Sequence, residues 1–193
     1  MKILELLADG NETIELLTVV DYLRRADIKI DMVSTTGSKR LLTSQNVSYE
    51  ADFLLEEINP DDYDGLYIPG GTKGAESLRD NEKVIEIIKK FDKENKLIAA
   101  ICAGPIVLDR AGVLKNKRAT SFPTVKKELA NVGSYVDDEI VVTDGNITTS
   151  RGAAVTNYLA LRLVEIIKGK DAKDQVKYGT QHAAVEEYFD IDF

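Results

Sequence analysis

Short apolar runs alternate with amphipathic helical patterns along the whole chain of 193 residues. The runs that predict strands lie at 3–8, 28–33, 64–69, 97–101, 117–121, 140–143 and 147–149. The patterns that predict helices lie at 12–26, 81–95, 104–111, 152–168 and 171–188, and a hairpin is predicted at 41–51. This alternation favours a mostly parallel sheet with helices on both faces, an α/β three-layer sandwich.

The helix predicted at 12–26 illustrates the pattern, because Ile14, Leu17, Val20 and Leu23 recur every three residues. No linker, repeat or low-complexity tract interrupts the series, so we expect one domain over residues 1–193. A composition of 44% hydrophobic and 30% charged residues is typical of a soluble globular protein.

Charge and cysteine content exclude several classes of function. A net charge of −8 argues against a nucleic-acid groove, which needs a concentrated basic patch. No apolar stretch is long enough to span a bilayer, and the N-terminal residues do not resemble a secretory signal. One cysteine and one histidine make a structural metal site unexpected. We therefore expect a cytoplasmic protein without metal or cofactor.

Cys102 is the only cysteine, and it ends the apolar run at 97–101. Ala103-Gly104-Pro105 follows at once, as in a sharp turn from a strand into a helix. A thiol at that turn lies near the positive end of a helix, which is expected to favour the thiolate. The alternative is a small buried hydrophobic side chain. The abrupt turn favours a reactive cysteine.

The pair Gly70-Gly71 ends another predicted core strand. One interpretation is an ordinary turn, which any glycine pair allows. The other is an oxyanion pocket, in which the backbone amides of Gly71 and Ala103 converge on a developing negative charge.

Two acids and one histidine are further candidates. Glu15 and Glu12 both lie near the start of the helix that follows the first strand, and the residues alone do not choose between them. A buried carboxyl beside the sulfur would be kept protonated. His182 lies late in a polar helix and is interpreted as a structural side chain, so the thiol is expected to act without a Cys-His dyad.

Several motifs together resemble the ThiJ/PfpI superfamily, in the branch that contains the human parkinsonism-associated deglycase and the bacterial YajL-type proteins. The segments that carry the resemblance are 99–105 (AAICAGP), 68–71 (IPGG), 73–75 (KGA), 149–152 (TSRG), 12–15 (ETIE) and 20–26 (VDYLRRA). The resemblance extends over essentially the whole chain.

The resemblance implies a flavodoxin-like fold and a homodimer. It assigns the nucleophilic, oxidisable cysteine to Cys102 and the protonated glutamate that contacts it to Glu15. It also implies removal of glyoxal and methylglyoxal or their protein and nucleotide adducts, with oxidative-stress sensing or chaperone action as the alternative. A cysteine peptidase is a weaker third alternative.

One departure from the family pattern affects the predicted chemistry. Phe122 precedes Pro123 where some relatives carry a histidine, so this chain lacks that general base. We expect Phe122, Pro123 and Arg151 to line the pocket and turnover to be low. In addition, Ala153-Ala154 replaces a Pro-Gly pair that relatives often have after the Arg151-Gly152 segment.

Overall fold

The computed structural model describes residues 1–191, which contain a seven-stranded sheet and two small two-stranded sheets. The strands are β1 (Lys2–Leu7), β2 (Lys29–Ser34), β3 (Arg40–Leu42), β4 (Ser48–Glu50), β5 (Phe53–Leu54), β6 (Gly65–Ile68), β7 (Leu97–Ile101), β8 (Arg118–Ala119), β9 (Ser134–Tyr135), β10 (Val141–Asp144) and β11 (Ile147–Ser150). The large sheet has the order β10-β11-β7-β6-β1-β2-β5, and every pair except β10 with β11 is parallel. The predicted α/β sandwich is confirmed.

Helices cover both faces of this sheet. They are α1 (Thr13–Arg25), α2 (Thr72–Arg79), α3 (Glu82–Lys93), α4 (Pro105–Ala111), α5 (Thr156–Lys168), α6 (Lys170–Gly179) and α7 (His182–Phe189). One apolar core lies between the sheet and α2, α3 and α4, and the other between the sheet and α1, α5 and α6. Within residues 1–191 none of the helices is long and apolar enough to cross a membrane.

Strand and helix boundaries follow from local chemistry. The central strand β7 is buried along its whole length, as a parallel strand with two covered faces must be. Asn81 begins α3 because its side chain accepts hydrogen bonds from the amides of Lys83 and Val84 at 3.1 and 3.4 Å. Gly112 ends α4 in the left-handed conformation, with φ of 77°.

Several details differ from the sequence predictions, among them the strand predicted at 117–121, which covers only Arg118–Ala119. The helix α2 was not predicted, and the predicted helix at 171–188 is two helices separated at Gln181, whose φ is 60°. On α1, Ile14 and Leu17 are 52% and 42% exposed, whereas Glu15 is fully buried. The helix α1 therefore buries the carboxyl of Glu15 and leaves the side chains of Ile14 and Leu17 exposed to solvent.

Candidate active site at the strand-to-helix turn

The carboxyl ends of β7, β6 and β1 lie side by side, because these strands are neighbours in the sheet. Cys102 follows β7 directly, Gly70 lies two residues after β6, and Glu15 lies in the first turn of α1, after β1. The topology therefore brings the predicted nucleophile, the glycine pair and the acid to one edge of the sheet, where ligands bind in open α/β folds.

The backbone of Cys102 is held in a strained conformation. Its φ of 61° lies in the left-handed region, which costs a non-glycine residue on the order of 1–3 kcal/mol. Its amide donates to the carbonyl of Ser150 at 3.0 Å, and its carbonyl accepts from the amide of Phe122 at 2.9 Å. These bonds from both neighbouring segments fix the turn and direct the side chain away from β7.

Two backbone amides act on the thiol of Cys102 as hydrogen-bond donors and lower its pKa. They belong to Gly71 and Ala103, the two residues that the sequence assigned to an oxyanion pocket. The φ of Gly71 is 82°, and a Cβ at this position would lie 2.3 Å from the carbonyl oxygen of Gly10. Glycine is thus required at position 71 both for its backbone conformation and for the close approach of the loop after β1.

Glu15 reaches the sulfur from α1. Its Oε2 accepts a hydrogen bond of 2.8 Å from the amide of Gly70, and its carboxyl also interacts with the thiol of Cys102. Its backbone carbonyl accepts from the hydroxyl of Tyr67 at 2.9 Å. Glu12, in contrast, begins the helix by accepting from the amide of Glu15 at 2.8 Å. The two acids therefore have different positions, and Glu15 is the one beside the sulfur.

Burial sets the protonation of this pair. It raises the pKa of Glu15 from 4.5 to about 7, against the hydrogen bonds from Cys102 and Gly70. Burial, followed by the charge and hydrogen bond of Glu15, raises the pKa of Cys102 to about 12. The amides of Gly71 and Ala103 oppose that rise but are outweighed. The expectation that the turn favours the thiolate is therefore wrong for the resting protein.

Asn11 is a further buried residue at this edge, in the turn between β1 and α1. Its carboxamide donates to the carbonyl of Gly70 at 2.8 Å and accepts from the amide of Ala8 at 2.7 Å. The sequence pattern predicts only a turn for this segment. An asparagine followed by a capping acid is common in turns, so the sequence carried no signal for this contact.

Comparison with known proteins identifies the family. Residues 1–166 match the model of the DJ-1/PfpI family. The chain belongs to the DJ-1/PfpI family. It is 37% identical over 176 residues to protein dj-1beta of Drosophila melanogaster, which covers 91% of this chain and 94% of the relative. It is 39% identical over 153 residues to a protein of Pyrococcus abyssi named as a deglycase, covering 78% of this chain and 90% of that relative.

Solved structures of DJ-1 proteins have the same fold. The crystal structure of Drosophila DJ-1beta superposes with a TM-score of 0.90 at 36% identity, over 94% of this chain and 98% of that one. A Toxoplasma gondii DJ-1 described as oxidized superposes with a TM-score of 0.87 at 30% identity, over 93% and 97% of the two chains. The flavodoxin-like arrangement of this DJ-1/PfpI protein is thereby shown.

The predicted pocket residues of this DJ-1/PfpI protein gather beside the turn. Phe122, Pro123 and Arg151 line a cavity of about 380 Å³. The rest of its lining is Ile140, Gly152, Ala153, Ala154 and Val155. Phe122 connects this cavity to Cys102 through its amide, while Arg151 donates to the carbonyl of Asp137. The lining of the cavity includes neither Cys102 nor Glu15, so the predicted pocket residues do not share a cavity with the reactive pair.

His182 begins α7 and packs against α5. Its Nδ1 lies 3.1 Å from Nδ2 of Asn157, its ring packs edge-on against Tyr158, and its Nε2 lies 3.5 Å from the Glu186 carboxyl. Burial lowers its pKa, so the imidazole is neutral near pH 7. Among the contacts described for residues 1–191, none joins His182 to Cys102, which agrees with its interpretation as a structural side chain.

Proposed function

We propose that this DJ-1/PfpI protein converts reactive dicarbonyl compounds, or their early adducts on proteins and nucleotides, with Cys102 as nucleophile and Glu15 as acid–base. The observation that supports the proposal is the buried pair itself. A thiol and a carboxyl whose pKa is about 7 share one site with two amide donors. A relative named as a deglycase points to the same class of substrate.

In the first step, the sulfur attacks the aldehyde carbon of methylglyoxal and the thiol proton passes to the ionised carboxyl of Glu15. With a pKa of about 7, that carboxyl is about half ionised at neutral pH and is matched to this transfer. The amides of Gly71 and Ala103, which lower the pKa of the thiol in the resting site, are the donors proposed for the developing alkoxide. Glu15 then returns the proton to that oxygen, giving a hemithioacetal.

Rearrangement and hydrolysis complete the reaction without a cofactor. Glu15 removes the hydrogen on the former aldehyde carbon and the resulting enediol is protonated on the neighbouring carbon. The product is a thioester of lactate on Cys102. Water cleaves that thioester, releasing lactate and restoring the thiol. Because Phe122 provides no imidazole, one acid–base group performs every proton transfer, and we expect slow turnover.

Conversion of methylglyoxal to lactate by the pure protein tests the proposal. We expect Cys102→Ser to abolish conversion while its unfolding midpoint stays close to that of the parent. The matched control is Thr13→Ala, which removes surface hydrogen bonds of α1 to Thr43 and Gln45 and leaves the site intact. Full conversion by Cys102→Ser would show that the mechanism is wrong.

A redox-responsive protein or chaperone is the second candidate. Two amides and a carboxyl that is about half protonated at neutral pH are suitable partners for a sulfinate on Cys102. Two molecules of peroxide would supply the two oxygen atoms and leave as water. Mass spectrometry after mild peroxide treatment distinguishes the candidates: a stable gain of two oxygens on Cys102 without dicarbonyl turnover favours the sensor.

A peptidase remains the weakest candidate, since Phe122 occupies the position of the missing imidazole. Peptide hydrolysis that disappears in Cys102→Ala would revive it.

We further propose a homodimer in the cytoplasm. Exposed Ile14 and Leu17 on α1 provide an apolar surface for a second copy, and sedimentation velocity would measure the dimer.

A further inference from the structure

Asn11 is fully buried, and the proposed mechanism assigns it no role. We propose that Asn11 is a positioning residue, whose carboxamide holds two consecutive peptide groups so that their amides point at Glu15 and at the sulfur of Cys102. The inference rests on the proposed function in one respect, that the sulfur is the reacting atom.

The orientation of the carboxamide is fixed by its surroundings. Oδ1 accepts the amide of Ala8 at 2.7 Å, so it must be the oxygen, and Nδ2 faces the opposite side. There it lies 2.8 Å from the carbonyl oxygen of Gly70 and 3.5 Å from that of Pro69. A reversed carboxamide would set oxygen against oxygen and NH₂ against N–H. One donor group therefore faces the carbonyls of two successive peptides.

The other side of the same two peptides faces the reactive pair. The residues described contain no cis peptide bond, and in a planar trans peptide the carbonyl and the amide point in opposite directions. In the Pro69–Gly70 peptide, the Gly70 amide donates to the carboxyl of Glu15 at 2.8 Å. In the Gly70–Gly71 peptide, the Gly71 amide acts on the thiol of Cys102 as a hydrogen-bond donor and lowers its pKa. Holding the two carbonyls in place therefore also fixes the directions of the Gly70 and Gly71 amides.

The helix α2 leaves room for this carboxamide. A Cβ on Gly74 would lie 2.5 Å from Nδ2 of Asn11 and 2.6 Å from its backbone nitrogen. The carbonyl of Gly70 accepts a second hydrogen bond, of 3.1 Å, from the amide of Glu12. Both acceptor positions of that carbonyl are therefore occupied, which restricts rotation of the peptide. The hydrogen bond from the Glu12 amide alone would leave the carbonyl of Pro69 without the donor that Nδ2 of Asn11 provides.

Alkylation of Cys102 by iodoacetamide across a range of pH tests the role without requiring a substrate. In Asn11→Asp an oxygen replaces Nδ2 and repels both carbonyls, so we expect the rate constant at pH 8 to fall about tenfold, a smaller loss than that of a direct oxyanion donor. Asn11→Ala adds no charge. Because the amide of Gly71 lowers the pKa of Cys102, a displaced amide should raise the pH midpoint of alkylation in this variant. Thr13→Ala, in the same turn, should behave as the parent.

The outcomes separate positioning from a general structural role. Slower alkylation and a higher midpoint, in variants whose denaturant unfolding remains cooperative, support the proposal. Folded variants that keep the rate constant and midpoint of the parent within twofold would overturn it. Failure of both variants to fold would also overturn it, since Asn11 would then serve the fold as a whole. A parent protein that alkylates normally but converts no methylglyoxal contradicts the proposed function and leaves this test valid.

Discussion

The amide of Gly70 donates a 2.8 Å hydrogen bond to Oε2 of Glu15, and no side chain separates the two residues. A Cβ on Gly70 would lie 2.5 Å from that oxygen, 2.6 Å from Cβ of Cys102 and 2.9 Å from the amide nitrogen of Ala103. Gly70 is therefore the spacer that lets a carboxyl on α1 approach a sulfur that follows β7.

Replacing this spacer should separate the reactive pair. In Gly70→Ala the added methyl group must displace Glu15 or Cys102, and overpacking of this kind costs about 1–3 kcal/mol of folding free energy. We expect methylglyoxal conversion to fall at least about tenfold, since the acid–base group no longer reaches the sulfur. Conversion assays and denaturant unfolding measure the two effects.

The matched control for that variant is Gly179→Ala, at the end of α6. A Cβ there meets no heavy atom within 4 Å, so the substitution changes the same chemical group without a clash. We expect it to match the parent in conversion and to differ in stability by less than about 1 kcal/mol. Parent-like conversion by Gly70→Ala itself would show that the contact between Glu15 and the sulfur is dispensable.

Elements with two covered faces were predictable from sequence, and elements set by long-range contacts were not. The strand β7 has the predicted bounds of 97–101, because a fully buried parallel strand is a continuous apolar run. The helix α2 is short and contains Gly74, so its helical signal is weak. The separation of α6 from α7 follows Gly179, a helix-end signal that the prediction of one helix over 171–188 did not use.

The candidate site was predictable only where strand ends define it. Cys102 and the pair Gly70-Gly71 follow apolar runs, so their meeting at one edge follows from the parallel topology. The choice of Glu15 over Glu12 depended on family resemblance, since both lie in the same turn. The role of Asn11 was missed because its partner Gly70 is 59 residues away. The protonation of Cys102 depends on burial, which local motifs do not reveal.

Removing the charge of Glu15 should have opposite effects on two reactions of Cys102. The carboxyl raises the pKa of the thiol through its charge and its hydrogen bond. In Glu15→Gln the pKa of Cys102 should therefore fall, and iodoacetamide should alkylate it faster at pH 8 than it alkylates the parent. Methylglyoxal conversion should decrease about 10²–10⁴-fold, because the acid–base group is lost.

A pH series of alkylation rates decides between two roles for this carboxyl. Slower alkylation of Glu15→Gln at every pH would mean that Glu15 stabilises the thiolate as a hydrogen-bond donor, contrary to the expectation. Thr13→Ala is the control, because the Thr13 hydroxyl bonds to Thr43 and Gln45 and not to the reactive pair. Its alkylation profile should follow that of the parent.

Glu5 makes stability depend on pH. It is fully buried in the middle of β1, and neither carboxyl oxygen has a hydrogen-bond partner within residues 1–191. Burial raises its pKa well above 4.5; the charge of Arg24 opposes the rise and that of Asp52 adds to it. The charge of Glu5 in turn raises the pKa of the partly buried Tyr49 and the buried Tyr67. The folded state therefore keeps a proton that the unfolded chain releases, and stability falls as pH rises above about 4.5.

Glu5→Met removes this ionisation and retains an unbranched side chain. We expect its free energy of unfolding at pH 8 to exceed that of the parent by about 1–3 kcal/mol, the cost of an unsatisfied buried polar group. The difference should shrink as the pH falls below about 4.5, where the parent carboxyl is protonated in both states. Glu5→Gln, which is polar and does not titrate, should share the flatter pH profile. Equal pH dependence in all three proteins, measured by denaturant unfolding, would contradict this assignment.

Phe122→His should give the thiol a base that this chain lacks. The amide of Phe122 is bonded to the carbonyl of Cys102 at 2.9 Å, and the ring is 43% exposed, so an imidazole can be accommodated next to the reactive turn. With a pKa near 6.5 it would accept the thiol proton at neutral pH. We expect methylglyoxal conversion to rise about tenfold, less than a well-positioned base supplies, and to increase with pH between about 6 and 7. Phe122→Leu removes the ring without adding a base; equal conversion by the two variants would show that the missing histidine does not limit this site.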